Sequence, residues 1–245
     1  MKLGLIGANL SYSFSKNYFE DKFKNEKLSS FSYGLFELTN INQIQDLINE
    51  EELDGFNVTI PYKESILSFL DELDESAQEI GAVNTVKLIS KRGDKILKGY
   101  NTDTYGFAQS IKPFLKNTHE RALILGTGGA SKAVNFVLKN LGIDTNFVSR
   151  TPENNQLSYS DINEYVLKHH KLIINCTPLG TYPEVDTFPN LPYKLINDSH
   201  MMMDMVYNPE TTEFMKKGKK EGAVTINGLS MLHHQAEKAW EIWSK

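Results

Sequence analysis

Three polar residues that could take part in chemistry stand beside predicted strands in the first half of the chain. Lys63 ends the stretch DGFNVTIPYK, Asn84 lies in GAVNT, and Asp103 ends NTD. A lysine and a carboxylate can exchange protons with a substrate once their surroundings fix their protonation. Lys63 and Asp103 also have ordinary interpretations, because a lone lysine is usually a solvated surface residue and Asp103 is placed to cap the helix predicted from Tyr105.

A second candidate for chemistry is the segment 121–134, RALILGTGGASKAV, which predicts a strand, a glycine turn and a helix. This order directs backbone N–H groups and the positive end of a helix dipole at a phosphate, so the turn is a candidate cradle for a dinucleotide. Gly126 and Gly128 fit the pattern G-x-G-x-x-G/A, whereas its third position is Ser131. The motif is therefore weak by itself.

The strand predicted next along the chain ends at Ser149, Arg150 and Thr151. A site selective for NAD usually has an acidic residue at this place to hold the ribose hydroxyls, and none is present here. Arg150 is instead placed to meet a 2′-phosphate, which favours NADP over NAD. The alternative is an exposed arginine with no ligand.

Composition limits the classes of function. The 245 residues include 40% hydrophobic ones, and the net charge of -5 provides no global basic field for nucleic acid or an anionic membrane. The single cysteine, Cys176, excludes an internal disulfide framework, and no apolar run approaches the roughly 20 residues of a membrane span. The apolar run in MKLGLIGANL is too short for a signal peptide, so we expect a cytoplasmic protein.

Periodicity predicts the elements that must position these residues. In the first half we expect a strand at 2–7, serines that cap a helix at 16–23, a strand at 31–38 and a helix at 41–48. Pro61 is expected to open a helix with Lys63 in its first turn, followed by a helix over 66–79 and a hairpin over 86–99. From residue 121, strands and helices alternate, which predicts a parallel, doubly wound α/β sheet.

Other chemistries have little support. The paired histidines His169–His170 and His233–His234 point to different helix faces, so no metal site is predicted. The sequence contains no G-x-S-x-G elbow and no P-loop lysine. A dinucleotide fold together with Lys63, Asn84, Asp103 and hydroxyl groups is suited to carbonyl reduction, in which a cofactor delivers hydride and a positioned acid delivers the proton.

Eight motifs together resemble the shikimate dehydrogenase family. In chain order they are the serines of S-x-S (Ser13 and Ser15), NVTIPYK, GAVNT, NTD, GTGGAS, SRT, NCTPLG, and NGLSML followed by Gln235. The resemblance covers nearly the whole chain. It implies an NADP-dependent oxidoreductase of the shikimate pathway, which leads to chorismate and the aromatic amino acids, and which reversibly reduces 3-dehydroshikimate to shikimate with NADPH. It also implies two domains with the active site in the cleft between them: a substrate-binding domain of residues 1–103 plus 228–245, and a Rossmann-like NADP-binding domain of residues 104–227.

The resemblance further implies roles for individual residues. Lys63 and Asp103 would be the catalytic pair. The substrate would be bound by Ser13, Ser15, Thr59, Asn84, Asp103, Tyr207 and Gln235. The dinucleotide would be bound by Gly126, Thr127, Gly128, Gly129, Ala130, Arg150, Thr151, Thr177, Met205 and Gly228. The expected partner is the small-molecule substrate, with no nucleic acid or membrane, and the expected state is a monomer or homodimer.

Two motifs depart from the family pattern. In H-S-x-S-P, Tyr12 and Lys16 replace the histidine and the proline, although both serines are present. In N-R-T-x-x-R, Ser149 and Asn154 replace the asparagine and the second arginine, so one arginine is left for the phosphate. Two alternatives stay open: an NAD-using quinate/shikimate dehydrogenase, and a non-catalytic NADPH-binding module, in which Lys63 or Asp103 would be expected to be lost.

Overall fold

The computed structural model describes residues 1–10, 13–91 and 94–245. Ser11 and Tyr12, before the first helix, and the tip of the predicted hairpin at residues 92–93 lie outside the described residues. The chain forms two compact units, one of Met1–Thr102 with Ala236–Lys245 and one of Asp103–Gln235. Each unit contains a six-stranded sheet with helices packed on it, which confirms the predicted α/β class.

The first unit is built on a mixed sheet with the strand order β2-β1-β3-β5-β6-β4. Strands β2, β1 and β3 are parallel, and β5 and β6 form the antiparallel hairpin that the sequence predicts. Its elements are β1 (Lys2–Gly7), α1 (Phe14–Asn25), β2 (Ser32–Glu37), α2 (Ile44–Glu50), β3 (Gly55–Val58), β4 (Glu72–Leu73), α3 (Glu75–Ile80), β5 (Thr85–Lys91) and β6 (Asp94–Tyr100), with 3₁₀ helices at Ile41–Gln43 and Ser65–Phe69.

Apolar side chains cover both faces of this sheet. Ile6, Phe56 and Val86 belong to a core with residues of α2 and α3. Leu3 and Leu5 of β1 point to the opposite face, where they pack with α1 and the last helix in a second core. The alternation of side chains along a strand explains how one strand supplies both cores.

The second unit contains a parallel sheet with the order β12-β11-β10-β7-β8-β9. Its elements are α4 (Thr102–Ile111), β7 (Arg121–Leu125), α5 (Gly129–Asn140), β8 (Asp144–Ser149), β9 (Leu157–Ser158), α6 (Glu164–His169), β10 (Leu172–Asn175), β11 (Met201–Asp204), α7 (Glu213–Lys220), β12 (Val224–Ile226) and α8 (Leu229–Ser244), with 3₁₀ helices at Lys112–Phe114, Tyr159–Asp161 and Tyr193–Leu195. Helix α8 contributes its residues from Ala236 onward to the first unit.

Numbered from β7, the strands of the second unit follow the order 3-2-1-4-5-6 that is typical of dinucleotide-binding sheets. Helices α4, α5 and α8 contribute to the core on one face, and α6 and α7 contribute to the core on the other. The prediction of a Rossmann-like, doubly wound sheet is confirmed. In such a sheet the strand order reverses between β7 and β10, and ligands bind beyond the carboxyl ends of the strands at that point.

Several predicted elements are wrong in detail. Lys63 lies in a turn after β3 rather than in a helix, and the helix predicted over 66–79 is divided into the 3₁₀ helix Ser65–Phe69, strand β4 and helix α3. Asp103 does not cap α4, because the helix begins at Thr102 and Asp103 lies in its first turn. Among the described ranges, none of the helices has the length and apolar character needed to cross a bilayer.

Candidate active site

Lys63 is held in its turn by bonds on both sides. Its carbonyl oxygen accepts from the Val83 N–H at 2.8 Å, and the Thr59 carbonyl accepts from the Tyr62 N–H at 2.9 Å. The buried Tyr62 donates its hydroxyl to the Leu38 carbonyl at 2.6 Å. The backbone of Lys63 is therefore fixed just beyond the carboxyl end of β3, while its side chain is half-buried.

Asn84 joins the start of β5 to Thr102, which belongs to the first unit. Its Oδ1 atom accepts from the backbone N–H of Thr102 at 2.7 Å, from the Thr102 hydroxyl at 3.1 Å and from the Thr85 hydroxyl at 3.2 Å. Asn101 adds a bond from its side-chain amide to the Ala82 carbonyl at 2.9 Å. These bonds fix the backbone directly before Asp103.

The two predicted serines lie at the start of α1. Ser13 caps the helix, because its hydroxyl accepts from the Ser15 N–H at 3.2 Å, and the predicted capping role is confirmed. Burial raises the pKa of Tyr33, and the Ser15 hydroxyl counters part of this rise. The Tyr33 hydroxyl donates to Asn57 Oδ1 at 2.7 Å. Asn57 donates to the Asn84 carbonyl at 3.1 Å. Hydrogen bonds thus run from Tyr33 of β2 through Asn57 to GAVNT.

Asp103 is 2% exposed and lies in the first turn of α4, where a carboxylate is favoured by the helix dipole. One turn later, Gly106 permits a close approach of α8, since a Cβ there would lie 2.6 Å from the Met231 carbonyl and 3.1 Å from Gln235 Cβ. Gln235 therefore packs beside the helix whose first turn contains Asp103. The second unit thus contains both of these predicted substrate-binding residues.

The glycine turn has the conformation that its motif predicts. Gly126 adopts a φ of 102°, and its N–H donates to the Val148 carbonyl at 2.9 Å. Gly128 precedes the first residue of α5, no side chain caps the helix there, and a Cβ on Gly128 would meet no atom within 4 Å. The amino end of α5 is thus open to an anion from the side of Gly128.

Ser131, at the third motif position, is fully buried beneath this turn. Its Oγ atom forms no hydrogen bond with a described residue. It lies beside Cys176, where burial raises the pKa of the thiol to about 12 against a smaller opposing effect of the Ser131 hydroxyl. A serine therefore fits where the motif commonly has glycine or alanine, and the helix still packs closely on the sheet.

Arg150 is exposed directly after β8, and Thr151 follows it with its N–H bonded to the Ser149 hydroxyl at 3.2 Å. Burial raises the pKa of Tyr159, and the positive charge of Arg150 counters part of this rise. The bond from Gly126 to Val148 holds the glycine turn beside the same end of β8. Arg150 and the glycine turn therefore occupy neighbouring positions at one sheet edge.

Thr177 lies in the turn NCTPLG after β10. Asn175 Oδ1 accepts from the Thr177 hydroxyl at 2.6 Å and from its N–H at 3.1 Å. A Cβ on Gly126 would lie 3.3 Å from Thr177 Cγ2, so the two turns touch at the point where the strand order reverses. This is the place where the fold predicts the dinucleotide.

Met205 and Tyr207 follow β11, which ends at Asp204. The Met205 N–H donates to the Asn175 carbonyl at 2.9 Å, and the Gly228 N–H donates to the Val206 carbonyl at 3.0 Å. The loops after β10, β11 and β12 are therefore bonded to one another. Within the second unit, the structure brings together the predicted dinucleotide-binding residues Thr177, Met205 and Gly228.

Four polar residues that support these sites were not predicted to do so: Tyr33, Asn57, Asn175 and Asp204. All of them are well buried except Asn57, which is half-buried. The available signal was a polar residue at the end of an apolar run, as in LIIN and MMMD. That pattern marks a buried polar group that must find hydrogen-bond partners.

The residues of the second unit fit a dinucleotide with a 2′-phosphate. The open amino end of α5 suits the pyrophosphate, because it presents backbone N–H groups and no side chain at Gly128. Arg150 suits the 2′-phosphate, because no Asp or Glu occurs after β8 before Glu153. Among the described residues, no cluster of His, Cys, Asp or Glu could hold a metal ion.

Comparisons with known proteins agree with this geometry. A family model described as the shikimate dehydrogenase substrate binding domain matches residues 5–86. The shikimate dehydrogenase (NADP(+)) of Clostridium beijerinckii is 38% identical over 260 residues, which cover 99% of this chain and 91% of the relative. That of Methanosphaera stadtmanae is 36% identical over 260 residues, which cover 98% of this chain and 90% of the relative.

A solved structure gives the same result. The shikimate 5-dehydrogenase of Thermus thermophilus, crystallised in complex with NADP(H) and shikimate, matches with a TM-score of 0.85 at 29% identity. The match covers 100% of this chain and 93% of the other. The likeness therefore extends over both units.

Proposed function

This chain belongs to the shikimate dehydrogenase family, and on that premise we propose that it catalyses the reversible reduction of 3-dehydroshikimate to shikimate with NADPH. The observation that carries the proposal is the likeness to NADP(+)-dependent shikimate dehydrogenases over nearly the whole chain. The Gly126 turn and Arg150 at one sheet edge support the choice of cofactor. The enzyme is an oxidoreductase of the shikimate pathway.

We assign the two units separate tasks. The first unit binds the substrate, in agreement with the family model that matches residues 5–86. The second unit binds the dinucleotide, because it contains the parallel sheet with the glycine turn. The proposed domain boundaries are those predicted, residues 1–103 plus 228–245 and residues 104–227, and the compact units differ from them in placing Asp103 and residues 228–235 in the second unit.

The proposed chemistry is a hydride transfer coupled to a proton transfer. NADPH, when bound, supplies the hydride to the carbonyl carbon of the substrate. The Lys63 ammonium supplies a proton to the carbonyl oxygen, so that a C–H and an O–H bond form as the C=O double bond becomes single. In the reverse direction the Lys63 amine takes up this proton. Asp103 is the second member of the proposed catalytic pair.

Other residues bind and orient the ligands in this proposal. Ser13 and Ser15 hold the substrate carboxylate, with Tyr207 as a further contact. Thr59, Asn84, Asp103 and Gln235 hold its ring hydroxyls. The hydrogen bonds from Tyr33 to Asn57 and from Asn57 to Asn84 support the assignment of Asn84, because they fix GAVNT on the sheet of the first unit.

The cofactor assignments follow the edge of the parallel sheet. Residues 126–130 hold the pyrophosphate, and Arg150 and Thr151 hold the adenosine 2′-phosphate. Thr177, Met205 and Gly228 bound the nicotinamide region. Their support is the set of contacts between the turns after β7, β10, β11 and β12.

The test is a spectrophotometric assay of the purified protein with shikimate or quinate, each against NADP and NAD. We expect shikimate with NADP to give the highest kcat/KM. Faster turnover of quinate with NAD would favour the NAD-using quinate/shikimate dehydrogenase, an alternative motivated by Asn154 at the position of the second family arginine. Cofactor binding without turnover of any pair would favour a non-catalytic NADPH-binding module. The cytoplasmic location and the monomeric or homodimeric state stay predictions, and light scattering tests the latter.

A further inference from the structure

Asp204 is a buried carboxylate on which three segments of the second unit converge. It is the last residue of β11 and is fully shielded from solvent. Its Oδ1 atom accepts from the Asn175 side-chain amide at 2.9 Å and from the Val206 N–H at 3.1 Å. Its Oδ2 atom accepts from the Thr212 hydroxyl at 2.6 Å. These partners belong to the end of β10, the loop after β11 and the residue that caps α7.

The bonded segments are the ones that carry the nicotinamide-region residues. Asn175 uses its side-chain oxygen to hold Thr177 and its backbone carbonyl to hold Met205. Farther along the same loops, the Tyr182 N–H donates to the Asn208 carbonyl at 3.1 Å. The loops after β10 and β11 are therefore joined at Asp204 and again by the bond between Tyr182 and Asn208.

A carboxylate is suited to this place for a specific reason. Both of its oxygens accept hydrogen bonds and neither needs to donate, so it can satisfy three donors at once. Within the described part of the chain, Asp204 forms no ion pair with a lysine or arginine. A buried charge without a counter-ion is costly for folding, so stability alone does not account for an aspartate here.

We propose that Asp204 is a positioning residue for the nicotinamide end of the dinucleotide, because its carboxylate fixes the Thr177 loop against the Met205 loop. The inference rests on the proposed function, since it takes the bound dinucleotide to be NADP. Asp204 acts through its neighbours and touches no ligand itself. The adenosine end, near Arg150 after β8, does not depend on these bonds.

The test compares two ligands by calorimetry: NADP and 2′-phospho-ADP-ribose, which lacks the nicotinamide ring. Asp204→Ala is expected to weaken NADP binding roughly 10- to 100-fold, because it removes the shared acceptor of three donors. Binding of the fragment is expected to change less than about twofold, since its contacts lie elsewhere. Asp204→Asn keeps the side-chain volume and Oδ1 as an acceptor, so it should restore most of the NADP affinity.

A milder variant covers the case in which Asp204→Ala does not fold. Thr212→Val removes the donor to Oδ2 and the cap of α7, and it should weaken NADP binding while sparing the fragment. Asn163→Ala is the matched control, because Asn163 caps α6 through a bond to the Val166 N–H at 3.1 Å. The control should lose a similar amount of stability and keep the affinity for both ligands.

The outcomes separate this inference from the proposed function. Equal weakening of NADP and fragment, or unchanged NADP affinity in both Asp204→Ala and Thr212→Val, would overturn the positioning role. A wild-type protein that does not bind NADP would also overturn it. If the wild type binds NADP but does not oxidise shikimate, the proposed reaction fails, and the comparison of the two ligands still decides the role of Asp204.

Discussion

Gly228 lies so close to Met205 that no side chain fits between them. A Cβ on Gly228 would overlap the Met205 carbonyl oxygen and lie 2.7 Å from the carbonyl carbon. Gly228 is buried, and its N–H donates to the Val206 carbonyl at 3.0 Å. Because the atoms in the way are backbone atoms, no change of rotamer could relieve the overlap. The start of α8 is therefore packed directly on the loop after β11.

We predict that Gly228→Ala displaces this loop and impairs cofactor binding. The added methyl group must push Met205 away from the sheet edge, where we place the nicotinamide. Overpacking of this kind costs about 1–3 kcal/mol of unfolding free energy. Urea unfolding should show the loss of stability, and calorimetry should show weaker binding of NADP.

Gly81→Ala is the control for a general glycine effect. Gly81 ends α3 with a φ of 69°, and a Cβ there would meet no atom within 4 Å. Alanine in this left-handed conformation should cost on the order of 1 kcal/mol through backbone strain alone. The control should lose stability and keep its NADP affinity. Wild-type NADP affinity in Gly228→Ala would show that the loop is not part of the site.

Lys63→Ala is expected to abolish most turnover. If the Lys63 ammonium delivers the proton, its removal should lower kcat at least about 100-fold, which is typical for the loss of a general acid. The KM for shikimate should change little, because the proposed carboxylate and hydroxyl contacts come from other residues. Steady-state kinetics in both directions measures both parameters.

Lys91→Ala is a suitable control for this variant. Lys91 is an exposed lysine of the same unit that pairs with Glu72 at 3.0 Å on the surface. Its removal should leave kcat unchanged. Turnover of Lys63→Ala close to that of Lys91→Ala would remove Lys63 from the catalytic pair.

Arg150→Ala should reduce the preference for NADP. Losing a charge-assisted contact with the 2′-phosphate should raise the KM for NADPH roughly 10- to 100-fold. The KM for NADH should change much less, since NADH lacks that phosphate. Arg121→Ala is the matched control, because Arg121 is exposed at the opposite end of β7 and pairs with Asp144 at 3.9 Å. Equal effects of Arg150→Ala on the two cofactors would exclude contact with the 2′-phosphate.

The parallel sheet could be predicted from the sequence because its signals are local. The run RALIL, the glycine turn and the helix behind it lie within one short stretch, and the same is true of the ends of β8 and β10. The serine cap at Ser13 and the hairpin of β5 and β6 are also local patterns. Each of these could be inferred from neighbouring residues alone.

The elements around Lys63 and Asp103 depend on contacts that are distant in sequence. The Lys63 turn is held by Val83, and the start of α4 is fixed by Asn84 through Thr102. A proline before Lys63 is compatible with either a helix start or a turn, and only these distant bonds decide between them. The same reasoning explains why Tyr33 and Asp204 were not predicted to support the site, since their partners are known only once the strands are in order.

The last prediction concerns stability and pH at Asp204. Burial raises the pKa of this carboxyl from its ordinary value of 3.8 to about 6. At a pH between 3.8 and about 6, the Asp204 carboxyl is protonated in the folded protein but has released its proton in the unfolded chain. The contribution of Asp204 to the free energy of unfolding is therefore greatest below about pH 4 and falls by about 3 kcal/mol as the pH rises above 6.

Comparison with Asp204→Asn isolates this contribution, because asparagine does not titrate and the other ionisable groups are shared by both proteins. The ionisable neighbours that feel the Asp204 charge are Cys176 and Tyr193, and burial raises the pKa of each, so both stay neutral from pH 4.5 to pH 8. Urea unfolding across this range should show the stability of Asp204→Asn rising relative to the wild type as the pH increases. Parallel stability curves would mean that the Asp204 carboxyl has an ordinary pKa in the folded protein, and that its hydrogen bonds fully offset its burial.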